Sequence, residues 1–125
     1  MPVACILAID PGVTGALALY RLDQPALITV RDLPIVGKEI NAAELARIIA
    51  EAAPTFAMIE DVHSMPKQGV ASSFTFGKSF GAALGVVAAL NVPCHRVAPT
   101  RWKKHFRLDA DKERARALAI RLWPS

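Results

Sequence analysis

The sequence predicts an α/β fold in which a mixed five-stranded sheet has helices on both faces. Two apolar runs, residues 6–9 and 16–19, flank a Pro-Gly turn, which is the pattern of a hairpin. Later strand-like runs alternate with helical patterns, which favours strands linked by helices. The 125 residues are 53% hydrophobic, enough for one core but not for two. We therefore expect a single domain over residues 1–125, an antiparallel meander followed by helix-linked strands.

Three strands are predicted in the first third of the chain. Residues 3–10 and 15–21 form the arms of the hairpin, and their uninterrupted apolar runs predict burial on both faces of each strand. A turn at residues 23–25 leads to a third strand over residues 26–33, which is rich in β-branched side chains. Together these segments predict the antiparallel meander.

A helix and a fourth strand follow. Asn41 suits the N-cap of the helix, with Glu44 at the capping-box position three residues later. The helix is expected to run to about residue 52 and to end before Pro54. Residues 56–60 form the fourth strand, which is apolar and ends on the carboxylate Glu60.

The second half of the chain predicts a helix, a strand and two more helices. Residues 70–91 are small and apolar and predict a long buried helix. Its glycines recur every four positions and share one face: Gly77, Gly81 and Gly85. We expect internal packing on this face rather than a dimer contact, although the spacing fits both. A fifth strand covers residues 94–98, a short Pro-initiated helix follows from residue 99, and a basic amphipathic helix runs to about residue 123.

Charge is distributed unevenly along the chain. Residues 1–95 contain six Lys or Arg and eight Asp or Glu, whereas residues 96–125 contain nine Lys or Arg and three acids. This asymmetry suits a polyanion-binding end beside an acidic half. The same charges also fit an ordinary solvated helix face. From charge alone, nucleic-acid binding and solvation are both open.

Neither the cysteines nor the hydropathy indicate an extracellular or membrane protein. Cys5 and Cys94 lie in apolar strand-like segments with no targeting signal, so we expect two reduced core residues rather than a disulfide or a metal pair. The longest apolar runs are too short for a membrane span. The N-terminus lacks the basic region of a signal peptide. A cytoplasmic protein with no membrane partner is expected.

Two carboxylates are the candidates for chemistry. Asp10 and Glu60 each close an apolar strand and precede a loop, and ligands bind in the crevice beyond such strand ends. If the two strands are neighbours, the carboxylates converge across about 4.8 Å. Hard oxygen donors at that separation suit Mg²⁺ or Mn²⁺, which activate water for phosphate chemistry. Asp61 should face the other way and is the weaker candidate. The alternative is that Asp10 caps the turn and Glu60 forms an ordinary ion pair.

Four motifs in order resemble the RuvC-type Holliday junction resolvases, especially their phage branch. They are Ile-Asp-Pro-Gly-Val-Thr-Gly at residues 9–15, Ile-Glu at 59–60, the segments Gln-Gly-Val-Ala-Ser-Ser-Phe and Phe-Gly-Lys-Ser-Phe-Gly at 68–74 and 76–81, and Val-Ala-Pro-Thr-Arg-Trp-Lys-Lys at 97–104. The resemblance covers nearly the whole chain. It implies the ribonuclease H-like fold and a two-metal, Mg²⁺- or Mn²⁺-dependent endonuclease acting on branched DNA in recombination. It also implies a homodimer whose contact includes the second long helix.

The resemblance carries individual roles onto this sequence. Asp10 matches the first catalytic and metal-binding carboxylate of the family, and Glu60 matches the second. DNA contacts are implied for residues of the loop after Glu60 and of the basic C-terminal third: His63, Lys67, Gln68, Arg101, Lys103, Lys104 and Lys112. An imidazole at residue 63 would stack on a base or touch a phosphate. Each of these side chains also fits ordinary surface solvation.

One departure from the family pattern affects the expected activity. Members of the family supply a third and usually a fourth acidic ligand from a C-terminal helix, and this sequence stops at Ser125 before such a helix. Asp109 and Asp111 come too early and suit a helix cap. We therefore expect a C-terminally truncated form of the fold, with impaired or absent catalysis by this chain and an exposed apolar surface.

Three functions compete. The first is a DNA endonuclease selective for four-way junctions. The second is a branched-DNA-binding module without catalysis, which the incomplete carboxylate set favours. The third is a phosphotransferase of the actin–hexokinase type, because residues 10–14 satisfy the Asp-x-Gly-x-Thr phosphate turn of that class. The third is disfavoured because 125 residues leave no room for a second nucleotide-binding domain.

Overall fold

The structure is a computed structural model that describes residues 4–61, 69–107 and 112–122. Its elements in chain order are β1 (Cys5–Asp10), β2 (Ala16–Arg21), β3 (Ile28–Asp32), β4 (Ile35–Val36), β5 (Glu39–Ile40), α1 (Ala42–Ala52), β6 (Phe56–Glu60), α2 (Val70–Ala89), β7 (Cys94–Val97), α3 (Pro99–His105) and α4 (Lys112–Leu122). The five predicted strands and four predicted helices are all formed. The two-residue strands β4 and β5 were not predicted.

The five longer strands form one mixed sheet in the order β3-β2-β1-β6-β7. Strand β1 is antiparallel to β2, and β2 is antiparallel to β3. Strands β1, β6 and β7 are parallel to one another. The predicted meander followed by helix-linked strands is therefore confirmed. Because β1 and β6 are parallel neighbours, their carboxyl ends lie at the same edge of the sheet.

One face of the sheet forms the hydrophobic core against α1 and α2. Alternate residues of the strands supply one side of this core and the two helices supply the other: Leu7, Ile9, Leu17, Ala57 and Ile59 from the sheet, and Leu45, Ile48, Ile49, Ala83 and Val87 from the helices. Full burial of a Leu or Ile side chain contributes about 1.5–3 kcal/mol. This face therefore holds the strands in register.

The other face of the sheet is largely open. Ala8 and Asp10 of β1 are exposed, and Val30 and Met58 are 63% and 37% exposed. Burial of β1 on both faces was therefore a wrong prediction. The reason is that α1 and α2 both pack on the same side, and strand alternation turns every second side chain away from them. Of the remaining helices, α3 approaches the open face through Trp102.

Asn41 caps α1 as predicted, but Glu44 does not complete a capping box, because its carboxylate pairs with Arg47 and the backbone N–H of Asn41 donates to the carbonyl oxygen of Pro34. The Asn41 side chain accepts a hydrogen bond of 3.2 Å from the backbone N–H of Glu44. The helix ends where Ala53 adopts a left-handed conformation, with a φ of 47°. The short hairpin of β4 and β5 precedes the start of α1. It turns at Gly37, whose φ of +63° favours glycine. An ion pair between Glu39 and Lys78 joins this hairpin to α2.

Helix α2 differs from the prediction in its exposed face. Ser79, Ala83 and Val87 are buried against the core, but the three glycines are exposed and nothing lies within 4 Å of a β-carbon added at any of them. Internal packing of the glycine face was therefore wrong, because no described element covers it. By length and composition alone α2 also suits a membrane span, with a hydropathy of 1.2 and 17% burial. One such helix is weak evidence for a membrane span, because the core helix of a soluble protein can have the same length and composition.

The two cysteines are free thiols in different environments. Cys5 is buried under the sheet and Cys94 is exposed. The expected burial of Cys94 was wrong because β7 is an edge strand of the sheet, where one side has no neighbouring strand. Partial desolvation of the sulfur raises the pKa of both thiols, including that of the exposed Cys94.

Candidate active site

The turn after β1 holds Asp10 in place. The backbone N–H of Gly12 donates to the carbonyl oxygen of Asp10 at 3.1 Å, and the N–H of Gly15 donates to that of Gly12 at 3.0 Å. A β-carbon at residue 15 would lie 1.9 Å from the Asp10 carbonyl oxygen. Only glycine therefore fits at residue 15. The side chain of Pro11, which follows Asp10 in the turn, is fully buried. The backbone at Asp10 is therefore held in one conformation.

Strand pairing brings Glu60 beside Asp10. Ile9 and Ile59 are register partners in the parallel pair of β1 and β6, so Asp10 and Glu60 follow at the next position of each strand. Adjacent strands lie about 4.8 Å apart. Both carboxylates line one cavity of about 370 Å³ on the open face, together with Trp102 of α3.

The environment of Glu60 is electrostatically unfavourable for its charged form. Burial raises the pKa of Glu60, and the neighbouring negative charge of Asp10 raises it further. The positive charge of Lys103 acts in the opposite direction and lowers this pKa. The fold therefore sets two carboxylates together beside one cation, an arrangement that favours binding of further positive charge.

Asp61 lies on the other side of the sheet edge, as predicted. Its Oδ1 accepts a hydrogen bond of 2.9 Å from the guanidinium of Arg96. Arg96 is the register partner of Ile59 and shares its helix-covered face. The guanidinium also lies 5.3 Å from the ring centroid of Phe80. Asp61 is thus held away from the pair formed by Asp10 and Glu60.

Helix α3 places its basic residues differently around this pair. Lys103 is half-buried and acts on the charge of Glu60, and its Nζ lies 5.6 Å from the ring centroid of Trp102. Arg101 is exposed and lines a second cavity. Lys104 is exposed and lines neither cavity. Among the predicted DNA-binding residues whose side chains the structure describes, Lys103 is therefore the one beside the carboxylates.

Four predicted DNA-binding residues have no described side chain. His63, Lys67 and Gln68 lie outside the described residues. Lys112 begins α4, but its side chain also lies outside what the structure describes. Their proposed contacts stay predictions.

Asp10 and Glu60 are suitable donors for a hard divalent ion. Carboxylate oxygens are the ligands that Mg²⁺ prefers, and this ion keeps several waters of its own. The mutual repulsion of the two charges, visible in the raised pKa of Glu60, would be offset by such an ion. Within residues 4–61, 69–107 and 112–122, no group of three or more His, Cys, Asp or Glu side chains forms a metal-binding cluster. The described site therefore offers two protein ligands.

A second cavity adjoins the first and was missed by sequence reasoning. It has a volume of about 570 Å³ and lies between β7 and α3. Met58, Val97 and Trp102 line both cavities. The new cavity also contains His95 and His105, neither of which lies in a recognisable motif. His95 lies on the open face because it is the register partner of Met58. The sequence does not reveal this pairing, so it gave no signal for the cavity.

Comparison with solved structures supports the architecture. Thermus thermophilus RuvC in complex with a Holliday junction substrate is similar with a TM-score of 0.62 and 18% identity, over 88% of this chain and 72% of that chain. Another T. thermophilus RuvC structure gives a TM-score of 0.56 and 18% identity, over 80% and 67%. The sequence matches no protein-family model and no curated protein. At this identity the likeness shows the fold: a mixed five-stranded, ribonuclease H-like sheet with helices.

Proposed function

We propose that this chain is a structure-selective DNA endonuclease of the junction-resolving type, which hydrolyses phosphodiester bonds near four-way junctions during recombination. The observation that carries the proposal is the placement of Asp10 beside Glu60 at the ends of adjacent parallel strands, on the open face of the sheet. The likeness of the fold to RuvC, which has been solved with a Holliday junction substrate, supports the choice of substrate.

The chemistry assigns the two carboxylates to metal binding. Asp10 and Glu60 would hold Mg²⁺ or Mn²⁺, which when bound would supply an activated water and stabilise the leaving oxygen. Lys103 places positive charge next to the carboxylates, where it would attract and orient the phosphate. Because Asp10 is exposed and Glu60 only half-buried, a phosphodiester can approach the pair from the open face.

The remaining DNA contacts belong to the same proposal. Arg101 and Lys104 are exposed on α3 and would contact backbone phosphates on either side of the carboxylates. His63, Lys67, Gln68 and Lys112 extend the proposed contact surface. Such contacts position the DNA without reading its sequence, which suits an enzyme that selects a branched shape.

The assembly is proposed to be a homodimer formed through α2. Its exposed face carries Val70 and Phe74, which are 88% and 68% exposed, followed by the three uncovered glycines. A glycine stripe allows a second helix to approach closely. A dimer would also present two carboxylate pairs to a junction that has two symmetric strands.

We further propose a single domain of the phage-like branch that acts in the cytoplasm, where its DNA substrate is found.

A second candidate is a branched-DNA-binding module without catalysis. It is favoured by one observation: the described residues supply Asp10 and Glu60 but no third ligand close enough to complete a metal cluster. Affinity for a divalent ion rises with the number of charged ligands. The binding surface on α3 would serve this function equally well.

The test is a labelled four-way junction incubated with the chain in Mg²⁺ or Mn²⁺, analysed for both binding and cleavage. Symmetric cleavage that Asp10→Asn and Glu60→Gln abolish, and that Asp61→Asn retains, would support the endonuclease. Asp61→Asn is a matched control because it changes a carboxylate one residue further on that faces away.

The other outcomes separate the alternatives. Binding without cleavage in the unmodified chain would support the binding module. Cleavage that both substitutions leave intact would reject the assigned site. ATP hydrolysis in the absence of DNA would favour a phosphotransferase of the actin–hexokinase type.

A further inference from the structure

The groove between β7 and α3 is a direct continuation of the carboxylate cavity. Its volume is about 570 Å³, and Met58, Val97 and Trp102 form walls common to both. The side chain of Trp102 therefore stands between the carboxylate pair and this groove. A strand of DNA bound at Asp10 and Glu60 would meet the groove next.

Arg101 gives the groove positive charge. The groove is lined by Arg101, His95 and His105, and among the lining residues that the structure describes there is no carboxylate. Arg96 also borders it, but its guanidinium is held by Asp61 at 2.9 Å. Arg101 is exposed, and no described carboxylate forms an ion pair with it. Its planar guanidinium is therefore available to an anion, and its geometry suits a phosphate.

Apolar and aromatic side chains form the rest of the groove. The indole of Trp102 is half-buried, so one part is fixed by packing and the other stays accessible. The ring of His95 is held edge-on by Phe56, with centroids 5.6 Å apart. Positive charge interleaved with aromatic surface is the arrangement that binds a nucleic-acid strand, because phosphates meet the cations while bases and sugars pack on the rings. A simple inorganic anion would use only the charged side of such a groove.

We propose that the groove between β7 and α3 binds the DNA strand that continues from the carboxylate pair, with Arg101 on a backbone phosphate and Trp102 against the adjoining nucleotide. This inference rests on the proposed function and adds a subsite to it. Arg101 supplies the main contact, while His95 and His105 flank the same backbone. The groove would then fix the direction in which the strand leaves the site.

The experiment uses the intrinsic fluorescence of Trp102. The sequence has two tryptophans, so Trp123→Phe leaves Trp102 as the single reporter. In this background a four-way junction is titrated in EDTA at several salt concentrations, and affinity is measured by anisotropy of the labelled DNA. The variants are Arg101→Ala, Arg101→Lys and the control Arg47→Ala. Arg47 lies on α1, paired with Glu44 and Glu51, and its loss changes the net charge equally.

The proposal predicts quenching of Trp102 on DNA binding and an affinity about tenfold lower in Arg101→Ala. The magnitude of the slope of log affinity against log salt should decrease by about 0.9 in that variant. The slope for Arg101→Lys should stay close to that of the parent, because Lys keeps the positive charge. Equal affinities for Arg101→Ala and Arg47→Ala, or unchanged Trp102 fluorescence in a complex that forms, would overturn DNA binding in the groove but not the proposed function. Absence of junction binding by the parent would overturn the proposed function as well.

Discussion

Gly15 lies so close to Asp10 that a β-carbon at residue 15 would be 1.9 Å from the Asp10 carbonyl oxygen and 2.8 Å from the backbone nitrogen of Gly12. The backbone atoms in the way belong to the turn that carries the candidate metal ligand. Any side chain at residue 15 would therefore displace Asp10 itself. Glycine at this position is required by the closeness of two backbone segments.

We expect Gly15→Ala to destabilise the chain by about 3 kcal/mol or more, because the added methyl group can be accommodated only by moving backbone. Urea denaturation monitored by circular dichroism measures the loss. Gly69→Ala is the matched control: nothing lies within 4 Å of the added carbon, the φ of −65° suits any residue, and the loss at this helix N-cap should stay below about 1 kcal/mol. Equal effects of the two substitutions would contradict the crowding described for residue 15.

Asp10→Asn should stabilise the folded chain while removing any cleavage. Burial and the Asp10 charge raise the pKa of Glu60. A raised pKa in the folded state means that Glu60 contributes stability fully below the ordinary glutamate pKa of about 4.3, and that this contribution is lost as pH rises through the raised value. Asp10→Asn removes one cause of the raised pKa, so the variant loses less stability than the parent as pH rises. The variant should therefore be the more stable chain at pH 7, and the difference should fade at pH 4.

Scanning calorimetry in metal-free buffer measures this gain, expected to be below about 1 kcal/mol because the carboxylates are partly solvated. Adding Mg²⁺ should reverse the order of Tm, since only the parent keeps both ligands. Asp61→Asn, whose charge is not a cause of the shift at Glu60, should show no gain at pH 7. A lower Tm for Asp10→Asn in metal-free buffer would contradict the proposed repulsion.

Lys103→Gln should raise the pKa of Glu60 further, because Lys103 is the described cation that lowers it. Carboxyl carbon chemical shifts followed by NMR through a pH titration would show the midpoint of Glu60 moving upward. Lys104→Gln removes the same charge one residue later, from a side chain that lines neither cavity. The midpoint should stay unchanged there, and an equal shift in both variants would contradict the specific placement of Lys103.

The exposed face of α2 predicts a concentration-dependent dimer. Phe74→Ser and Gly81→Glu each alter this face and should raise the dissociation constant by tenfold or more, measured by sedimentation equilibrium. Leu27→Ser is the control, since Leu27 is 64% exposed in the turn that precedes β3. A parent chain that stays monomeric at 100-fold dilution and at high concentration alike would contradict the dimer.

The two cysteines should react at very different rates. Cys94 is exposed and Cys5 is 6% exposed under the sheet, so a thiol reagent should modify one group quickly in the native chain and the second only on unfolding. Cys94→Ser should remove the fast phase. Because Cys94 lines the groove beside Arg101, bound junction DNA should slow its modification, and an unchanged rate would argue against occupation of that groove.

Local patterns were sufficient to predict most of the secondary structure. The Asn41 cap, the apolar spacing of α1 and the turn after Asp10 each depend on residues only a few positions apart, so their physics is contained in the sequence itself. The β4–β5 hairpin escaped prediction because two-residue strands carry no periodicity. The exposure of Cys94 also escaped, because an edge strand and a central strand can have similar sequences.

The candidate site could be predicted only in part from local sequence patterns. Asp10 and Glu60 stood out because a carboxylate at the end of an apolar strand is costly without a compensating partner. Their being neighbours, the approach of Lys103, and the groove formed by Arg101, His95 and His105 depend on strand order, register and the direction of α3. These are long-range contacts that no local pattern specifies.

The sequence by itself therefore determined the five longer strands, the four helices, the turn after Asp10 and the two acidic strand ends. Tertiary structure alone decided which face of the sheet stays open, because both α1 and α2 pack on the other face. It also decided that the parallel pairing of β1 with β6 sets Asp10 beside Glu60. Burial and repulsion between charges act through space, so residues 50 positions apart in the chain become one electrostatic unit only in the folded sheet.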